Sequence, residues 1–411
     1  MDPRETGRSA LDSAMAIGPS ARVRHAGVGP VMIDFGLASG EFRAAYFEQK
    51  PRHFRGALAE RPFTWADVDQ LLHFLEPRAP VMRIFHHGTV PEHAYTEEFA
   101  ELGRTRRRLD KPKFYDYMRN GATLQINWLE RHSVAAKRLC LAVGRFVGTQ
   151  TSSNAYLSFA GDGTFGKHWD THDVFAIQLI GRKRWRIFSP TLPLPLSHQT
   201  HDRSGHACPA EPTLELTLEE GDVLYIPRGW WHHVIPLRVG SFHVSVGSYS
   251  PTLFDYIVQT SARYLEQHAG VRRAFSPAAY RETVTEVTRL LSEVLLDPTN
   301  AAAFERDWIA RERMDAEFNL ASLDSASPPL SGGALLSLTT FSAPALEGGV
   351  LLVNGAQLHL EPVSQAVVAA LRDHASLRFD ALCARLEHIP PEAVHRAVLD
   401  LARHDVVTIR A

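Results

Sequence analysis

The sequence has few cysteines and almost no net charge. Among 411 residues there are three cysteines, and 44 lysines and arginines nearly balance 46 aspartates and glutamates. Three cysteines cannot build a disulfide framework. Cys140 and Cys383 lie in apolar helical patterns, so we expect them to be core thiols. The formal net charge of -2 and the pI near 6.9 give no general attraction to nucleic acid or to an anionic membrane.

The sequence also lacks a long apolar run. A helix that spans a bilayer needs about 20 apolar residues, and no segment approaches that length. The opening residues Met1 to Glu5 lack the apolar stretch of a signal peptide, so we expect none. We therefore expect a cytoplasmic protein that has no membrane partner. A chain of this length with 45% hydrophobic residues predicts two or three globular domains.

The region from Asn154 to Tyr249 is rich in short β segments separated by turn residues such as Gly161 and Gly181. This spacing predicts a sandwich or barrel rather than alternating βαβ units. The segments expected to be strands are Asn154–Phe159, Val174–Ile180, Arg184–Phe188, Leu214–Leu218, Val223–Ile226 and Ser241–Ser248. Before them, Thr64 is a predicted N-cap of the helix Trp65–Leu75, and Gly148 is expected to end the helix Val134–Val147.

After Pro251 the pattern becomes helical. Val284, Leu291 and Leu295 share one apolar face of a helix that we expect to end at Asp297-Pro298. This face suggests a homodimer interface, although a monomer that buries it internally fits equally well.

The last part of the chain follows a linker predicted at Ser325 to Pro329. From Val350 onward, two strands, three helices and a final strand Val406–Arg410 follow one another in the order of a winged helix. Its presumed recognition helix, Pro391 to His404, mixes arginines with acidic residues and lacks the cationic cluster that reads phosphates. We therefore expect a module for protein interaction or for structure, and nucleic acid is an unlikely direct ligand.

The strongest chemical signal is His168-Trp169-Asp170, followed about sixty residues later by a turn and His232. Two imidazoles and one carboxylate are the ligand set that holds non-haem Fe(II) on one face and leaves the other face open. Residues two apart on an extended backbone point the same way, so one strand end can supply His168 and Asp170. A His-x-Asp tripeptide alone is common by chance. Its β-rich context and the motif Gly221–Gly229 before His232 favour the metal site.

Other histidines compete for these roles. His172 with His168 would form a helical zinc pair, but the segment has an extended pattern, and His233 should point to the opposite face of the strand from His232. A loop further on carries four more possible metal ligands, His198, His201, His206 and Cys208. Their spacing fits no familiar tetrahedral zinc pattern, so we expect a solvated loop near the substrate entrance.

Four segments give the sequence a family resemblance. They are Lys167–Arg186, Gly221–Gly229, Phe242–Val246 and Tyr46–Gly56. Together they resemble the JmjC-type ribosomal oxygenases, which are 2-oxoglutarate-dependent protein hydroxylases. The resemblance implies an α+β chain with a double-stranded β-helix (jelly-roll or cupin, JmjC type), then a helical dimerisation segment, then a C-terminal winged helix. The expected boundaries are residues 1–250, 251–329 and 330–411.

The resemblance also implies a co-substrate site. Lys183 would pair with the distal carboxylate of 2-oxoglutarate, and strand alternation sends it to the face opposite Arg182 and Arg184. Asn154, Tyr156 and His243 would line the same pocket. The alternatives are that Lys183 is solvated, that Asn154 and Tyr156 are ordinary strand residues, and that His243 is a core histidine.

The function implied is an Fe(II)- and 2-oxoglutarate-dependent oxygenase that uses O2, hydroxylates an amino-acid side chain of a protein and releases succinate and CO2. No catalytic residue is expected beyond the metal ligands, and ribosomal protein is the substrate by family default. Two other hypotheses remain open: the same chemistry on a small biosynthetic peptide, and a cupin-like scaffold without turnover.

Overall fold

The structure is a computed structural model of the chain. It describes residues 32–161, 163–278, 280–313, 315–323, 330–341, 348–374 and 376–410. The first 31 residues of the predicted oxygenase domain and the predicted linker at 325–329 lie outside the described residues.

Twelve helices are present in the described part of the chain. In chain order they are α1 (Ser39–Ala45), α2 (Trp65–Phe74), α3 (Lys111–Arg119), α4 (Val134–Val147), α5 (His201–Ser204), α6 (Leu253–Leu265), α7 (Ala269–Arg272), α8 (Tyr280–Leu296), α9 (Pro298–Arg311), α10 (Pro362–Arg372), α11 (Phe379–Arg385) and α12 (Pro391–Arg403).

Strands occupy the middle of the chain and its C-terminal part. In chain order they are β1 (Arg52–Phe54), β2 (Met82–Phe85), β3 (Thr96–Glu101), β4 (Arg104–Leu109), β5 (Thr123–Asn127), β6 (Thr151–Ser158), β7 (Asp173–Ile180), β8 (Lys183–Phe188), β9 (Leu214–Leu218), β10 (Val223–Ile226), β11 (Trp231–Pro236), β12 (Ser241–Ser248), β13 (Leu335–Leu338), β14 (Val350–Val353), β15 (Ala356–His359), β16 (Leu377–Arg378) and β17 (Val407–Arg410).

Two antiparallel sheets form the β domain. The larger has seven strands in the order β1-β10-β7-β12-β6-β5-β2, and the smaller has the order β11-β8-β9. Apolar side chains from both sheets meet in one buried cluster: Ala176, Leu224 and Ile226 from the larger sheet with Trp185, Ile187 and Leu218 from the smaller. The two sheets therefore pack face to face. The polar residues that line the space between them lie at inward-facing positions of both sheets.

A second, larger core lies on the outer face of the seven-stranded sheet. It joins buried residues of α1 and α4, such as Phe42 and Val143, to those of β7 and β12. With helices on one face and the smaller sheet on the other, β7 is buried along its whole length.

The C-terminal part has a core of its own. Buried side chains of α10, α11 and α12 pack on the sheet β16-β13-β17, and β14 pairs with β15 as a hairpin. The sequence analysis did not identify β13, which is the central strand of that sheet.

Local signals predicted the helices α2 and α4. Thr64 and Asp67 form the expected capping box on α2. Gly148 ends α4 with a left-handed backbone (φ +69°), a conformation that glycine adopts without steric cost. The six predicted strands are all present, with ends within three residues of the prediction.

Among the described residues, no helix is both long enough and apolar enough to cross a membrane.

Candidate metal centre and co-substrate pocket

Three residues predicted to bind metal lie together at one end of the β domain. His168 and Asp170 come from the segment between β6 and β7, and His232 lies on β11. One donor atom from each lies within 4.8 Å of the other two, and no other such group of three occurs in the part of the chain that the structure describes. The loop with His198, His201, His206 and Cys208 therefore forms no further metal-binding group there.

Backbone hydrogen bonds hold these three residues in position. The His232 N–H donates to the His168 carbonyl at 2.8 Å, and the His168 N–H donates to the His232 carbonyl at 3.2 Å. The Gly229 N–H donates to the Asp170 carbonyl at 3.0 Å. These main-chain hydrogen bonds tie the two segments that carry the three side chains to each other.

Each imidazole has a backbone carbonyl near Nδ1. The distance is 3.3 Å from His168 to the Gly166 oxygen and 3.2 Å from His232 to the Trp230 oxygen. A carbonyl can only accept, so Nδ1 carries the proton in a neutral ring and Nε2 is left as the electron-pair donor. Such an outer hydrogen bond is the usual way to fix a metal-binding histidine. His232 Nε2 lies 3.5 Å from Asp170 Oδ2, facing the same space.

The electrostatics favour the metal-binding protonation states. Burial, reinforced by nearby His168, lowers the pKa of His232 to about 4, so the ring is neutral near pH 7. Burial opposes the ionisation of Asp170. The surrounding imidazoles, led by His172 and His232, outweigh that effect and hold its pKa below the usual value. A neutral imidazole and an ionised carboxylate are the forms that bind divalent cations.

The neighbouring histidines take other positions. The His172 ring stacks on Tyr249 with 4.9 Å between ring centroids, and it is not part of the metal-binding group. His233 is the residue next to His232, yet it is partly exposed and does not line the cavity of the site.

Lys183 is the main charged residue of the pocket besides Asp170. It begins β8, its exposed fraction is 2%, and its Nζ lies 3.1 Å from His243 Nδ1. Burial lowers its pKa to about 7. Within the described residues no carboxylate lies within 4.0 Å of Nζ, whereas Arg182 and Arg184 on either side are exposed and face Glu219 and Glu215. A buried ammonium without a counter-ion is costly, so this position is suited to an anionic ligand.

The remaining predicted pocket residues lie beside Lys183. Tyr156 stacks on His243 at 4.9 Å between centroids and accepts a hydrogen bond from Gln125 Nε2 at 3.3 Å. Because that bond uses only a lone pair, the Tyr156 hydroxyl proton remains available. Burial raises the pKa of this phenol, which keeps it a donor at any ordinary pH. Asn154 Oδ1 accepts from the Trp128 N–H at 3.4 Å.

All seven residues predicted to bind the metal or the co-substrate line one cavity of about 100 Å³. Its wall also includes Ser152, His172, Gly247 and Tyr249, which the sequence analysis did not assign to the site. The period-2 pattern could have found two of them, since Ser152 precedes Asn154 by two and Gly247 follows Ser245 by two.

A divalent metal and a dicarboxylate fit this cavity on chemical grounds. Three metal-binding donors converge on one side, and on the other lies Lys183, which has no carboxylate partner in the part of the chain that the structure describes.

Comparison with known proteins supports this description. The family model of the JmjC domain matches residues 129–256. The chain is 25% identical over 226 residues to the bifunctional lysine-specific demethylase and histidyl-hydroxylase NO66 of Drosophila persimilis, covering 54% of this chain and 30% of that protein. It is 31% identical over 191 residues to ribosomal oxygenase 2 of Rattus norvegicus, covering 44% of this chain and 40% of that protein.

Solved structures extend the likeness over most of the chain. The structure of YcfD, a ribosomal oxygenase from Escherichia coli, in complex with cobalt and 2-oxoglutarate matches with a TM-score of 0.54. The sequence identity is 17%, and the match covers 92% of this chain and all of that one. At that identity, the likeness concerns the fold.

Fold and site together define a JmjC-domain protein with the cupin architecture. Within that class, the chain is similar to the ribosomal oxygenases and to the histidyl-hydroxylase named above. The chain spans less than half the length of the curated relatives it matches.

Proposed function

We propose that the chain is an Fe(II)- and 2-oxoglutarate-dependent oxygenase that hydroxylates an amino-acid side chain of a protein, with ribosomal protein as the substrate by family default. The observation that carries the proposal is the pairing of two features in one cavity. His168, Asp170 and His232 converge on one side, and on the other Lys183 is a buried cation that has no acidic partner among the described residues. The named relatives, an oxygenase and a histidyl-hydroxylase, support the reaction class.

Each residue has a defined part in this proposal. The two imidazoles and the carboxylate would hold Fe(II), and Lys183 would neutralise the distal carboxylate of 2-oxoglutarate, with Tyr156 as a hydrogen-bond donor and Asn154 and His243 as its neighbours. When bound, iron and 2-oxoglutarate supply the oxidising chemistry that uses O2 and yields succinate and CO2. The protein fixes the ligands, desolvates the pocket and positions the substrate side chain. No residue of the chain is needed as a separate acid or base.

Succinate formation tests the proposal. Purified protein with Fe(II), 2-oxoglutarate and O2 should form succinate, and removing the metal with a chelator should stop it. His232→Ala should lose the activity, while the adjacent His233→Ala, whose side chain lies outside the cavity, should retain it. If both variants retain the activity, His232 is not a metal ligand; if no succinate forms with any metal, the chain is a cupin-like scaffold rather than an enzyme. Mass spectrometry of ribosomal proteins for the gain of one oxygen then identifies the substrate.

The domain boundaries, the oligomeric state and the location are part of the same proposal. We propose domains at residues 1–250, 251–329 and 330–411, with the middle segment forming a homodimer and the last forming a winged helix that contacts protein rather than nucleic acid. The separate core of the C-terminal part supports an independent module. Glu392 and Asp400 lie among the arginines of α12, which argues against phosphate contacts. A cytoplasmic location suits a site that needs ferrous iron.

A further inference from the structure

A second cavity, of about 470 Å³, lies between α4 and the C-terminal part of the chain. Its lining comes from α4 and the turn before it, from the start of β6, from the segment that follows α9, from the residues after β13 and from β17. This cavity and the one at the metal centre share no lining residue. It is therefore a separate space, to which the proposed oxygenase reaction assigns no role.

Cationic side chains outnumber carboxylates around this cavity. The lining contains five cations and three acids: Arg131, Lys137, Arg138, Arg313 and Arg410 with Glu130, Asp315 and Glu317.

Each of these three carboxylates already has partners. Asp315 Oδ2 accepts from Lys137 Nζ at 2.8 Å, and Glu317 Oε1 accepts from Arg138 Nη2 at 3.3 Å. Both oxygens of Glu130 accept from serines of β6. The acids of the lining therefore leave an excess of positive charge that they do not neutralise.

Arg410 is a cation without an acidic partner in the described part of the chain. No carboxylate there lies within 4.0 Å of its guanidinium group, and its Nε is buried without a hydrogen-bond partner. The Nε of Arg138 is buried in the same condition. A buried charged donor that makes no hydrogen bond is costly, so both positions are suited to an anion.

Arg410 lies between two arginines of α4. Burial lowers the pKa of Arg410, the charge of Arg138 lowers it further, and Glu317 offsets only part of this effect. Arg145 lies two turns beyond Arg138 on the same helix. Burial lowers its pKa to about 10, and the charge of Arg410 contributes. Three like charges thus converge where α4 meets β17, and an anion bound there would relieve their repulsion.

A phosphate group suits this arrangement better than a carboxylate. Arg138 and Arg410 come from different elements, and each guanidinium group offers a fork of donors that binds two oxygens. A phosphate monoester has three strong acceptor oxygens and a charge of about −1.5 to −2 at pH 7, so it can serve both forks at once.

The other side of the cavity is apolar. Leu141 and Phe341 line it, and the Phe341 ring fits against α4 because residue 144 is a glycine. A Cβ on Gly144 would lie 2.2 Å from that ring. An aromatic face beside a cationic pair favours a ligand with an apolar body attached to its phosphate. The volume is in the range of small-molecule sites, about 300 to 1,000 Å³.

We propose that this cavity binds a phosphorylated small molecule, with its phosphate between Arg138 and Arg410 and its apolar body against Phe341. The inference does not depend on the function proposed above. Because the ligand would bridge α4 and β17, it would also tie the C-terminal part to the β domain.

Two probes test the proposal, inorganic phosphate and phenyl phosphate. Their binding to the metal-free protein is measured by calorimetric titration at constant ionic strength. We expect one saturable site for each probe. Phenyl phosphate should bind about 10-fold more tightly, because only its ring buries apolar surface against Phe341.

Five variants locate the site. Arg138→Gln and Arg410→Gln should each weaken both probes by at least about 10-fold, the value of a charged hydrogen bond. Phe341→Ala should weaken phenyl phosphate alone. Arg403→Gln, an exposed arginine on α12 outside the cavity, and Lys183→Met, in the co-substrate pocket, should keep the wild-type affinities.

Urea unfolding checks that the variants are folded. Arg410→Gln removes a buried charge that has no acidic partner, so its free energy of unfolding should not fall. If Arg138→Gln does not fold, because Glu317 then loses its partner, Arg410→Gln alone decides.

The proposal is overturned if neither probe shows saturable binding, or if phenyl phosphate binds no more tightly than phosphate. Full affinity in Arg410→Gln would also overturn it. So would an equal loss in Arg403→Gln, which indicates a general effect of charge, or a loss in Lys183→Met, which places the probes in the co-substrate pocket.

Discussion

At the scale of single residues, Lys183 has the most unusual environment in the site. Its ammonium is buried beside His243 and lacks an acidic partner among the described residues. We predict that Lys183→Met weakens 2-oxoglutarate binding by at least about 100-fold, because one partner of a buried charge pair is lost. Calorimetric titration of the metal-loaded protein measures this.

The same substitution should stabilise the free protein. A methionine of similar length removes an uncompensated buried charge, so the free energy of unfolding should rise by about 1 kcal/mol or more in urea titrations. A loss of stability together with normal 2-oxoglutarate binding would show that Lys183 has a structural role only.

The low pKa of Lys183 predicts a pH dependence of co-substrate affinity. Burial brings the pKa to about 7 in the free protein, and a bound dicarboxylate must raise it. Binding therefore takes up a proton above pH 7. The dissociation constant for 2-oxoglutarate should be nearly constant just below pH 7 and should increase about 10-fold per unit above it.

Lys183→Arg is the control for this effect, since a guanidinium remains charged throughout this range. The affinity of this variant for 2-oxoglutarate should not vary between pH 6 and pH 9. An equal slope in both proteins would assign the titration to another group.

Much of the site could be predicted at this scale. The residues proposed for metal and co-substrate share one cavity, because alternation along a strand fixes which side chains point inward. Ser152 could have been found by the same alternation, since it precedes Asn154 by two residues. Tyr249 follows the end of β12 and reaches the site by stacking on His172, a contact that no local pattern reveals.

At the scale of secondary-structure elements, the turn between β7 and β8 has no room for a side chain at Gly181. Gly181 has φ +66°, and a Cβ there would lie 2.1 Å from the Gly240 carbonyl oxygen. We predict that Gly181→Ala lowers the free energy of unfolding by more than about 2 kcal/mol. The strain of alanine in a left-handed backbone conformation and the clash of its Cβ with the Gly240 carbonyl both contribute.

A second glycine separates these two causes. Gly103, between β3 and β4, has φ +74° with no atom within 4 Å of the corresponding position. Gly103→Ala should lower the free energy of unfolding by about 1 kcal/mol, because only the left-handed backbone conformation disfavours alanine there. Urea unfolding of both variants provides the comparison, and equal costs would contradict a role for the Gly240 contact.

The elements that sequence reasoning identified are those with local signals. The capping box of α2 and the terminal glycine of α4 are encoded within a few residues. By contrast, β2, β5 and β13 are among the strands that were missed. Their pairing partners are distant in sequence, as when β13 pairs with β17 about seventy residues later, so tertiary context decides that they are strands.

At the scale of the whole molecule, the helical segment α6 to α9 leaves apolar side chains exposed. Val258 on α6 and Val284 on α8 are each 49% exposed, and Leu253 is 72% exposed. Exposed apolar clusters of this kind are typical of protein interfaces. We predict a homodimer, with a mass by light scattering of about twice the 45.8 kDa of one chain at micromolar concentration.

Substitution at the interface should reverse the association. Val258→Lys and Val284→Lys should give monomers, whereas Arg289→Ala, an exposed position on α8 paired with Glu293, should remain dimeric. A wild-type mass of 45.8 kDa alone would contradict the prediction.

The mutual backbone pairing of His168 and His232 has a consequence for metal selection. Because this pairing ties the two imidazole-bearing segments together, the donors offered to an ion are two nitrogens and one oxygen. Donors of this kind follow the general order of divalent affinities, in which copper and nickel exceed iron. Which element occupies the centre is therefore decided by what the surroundings supply, and chains purified from different growth media should carry different metals.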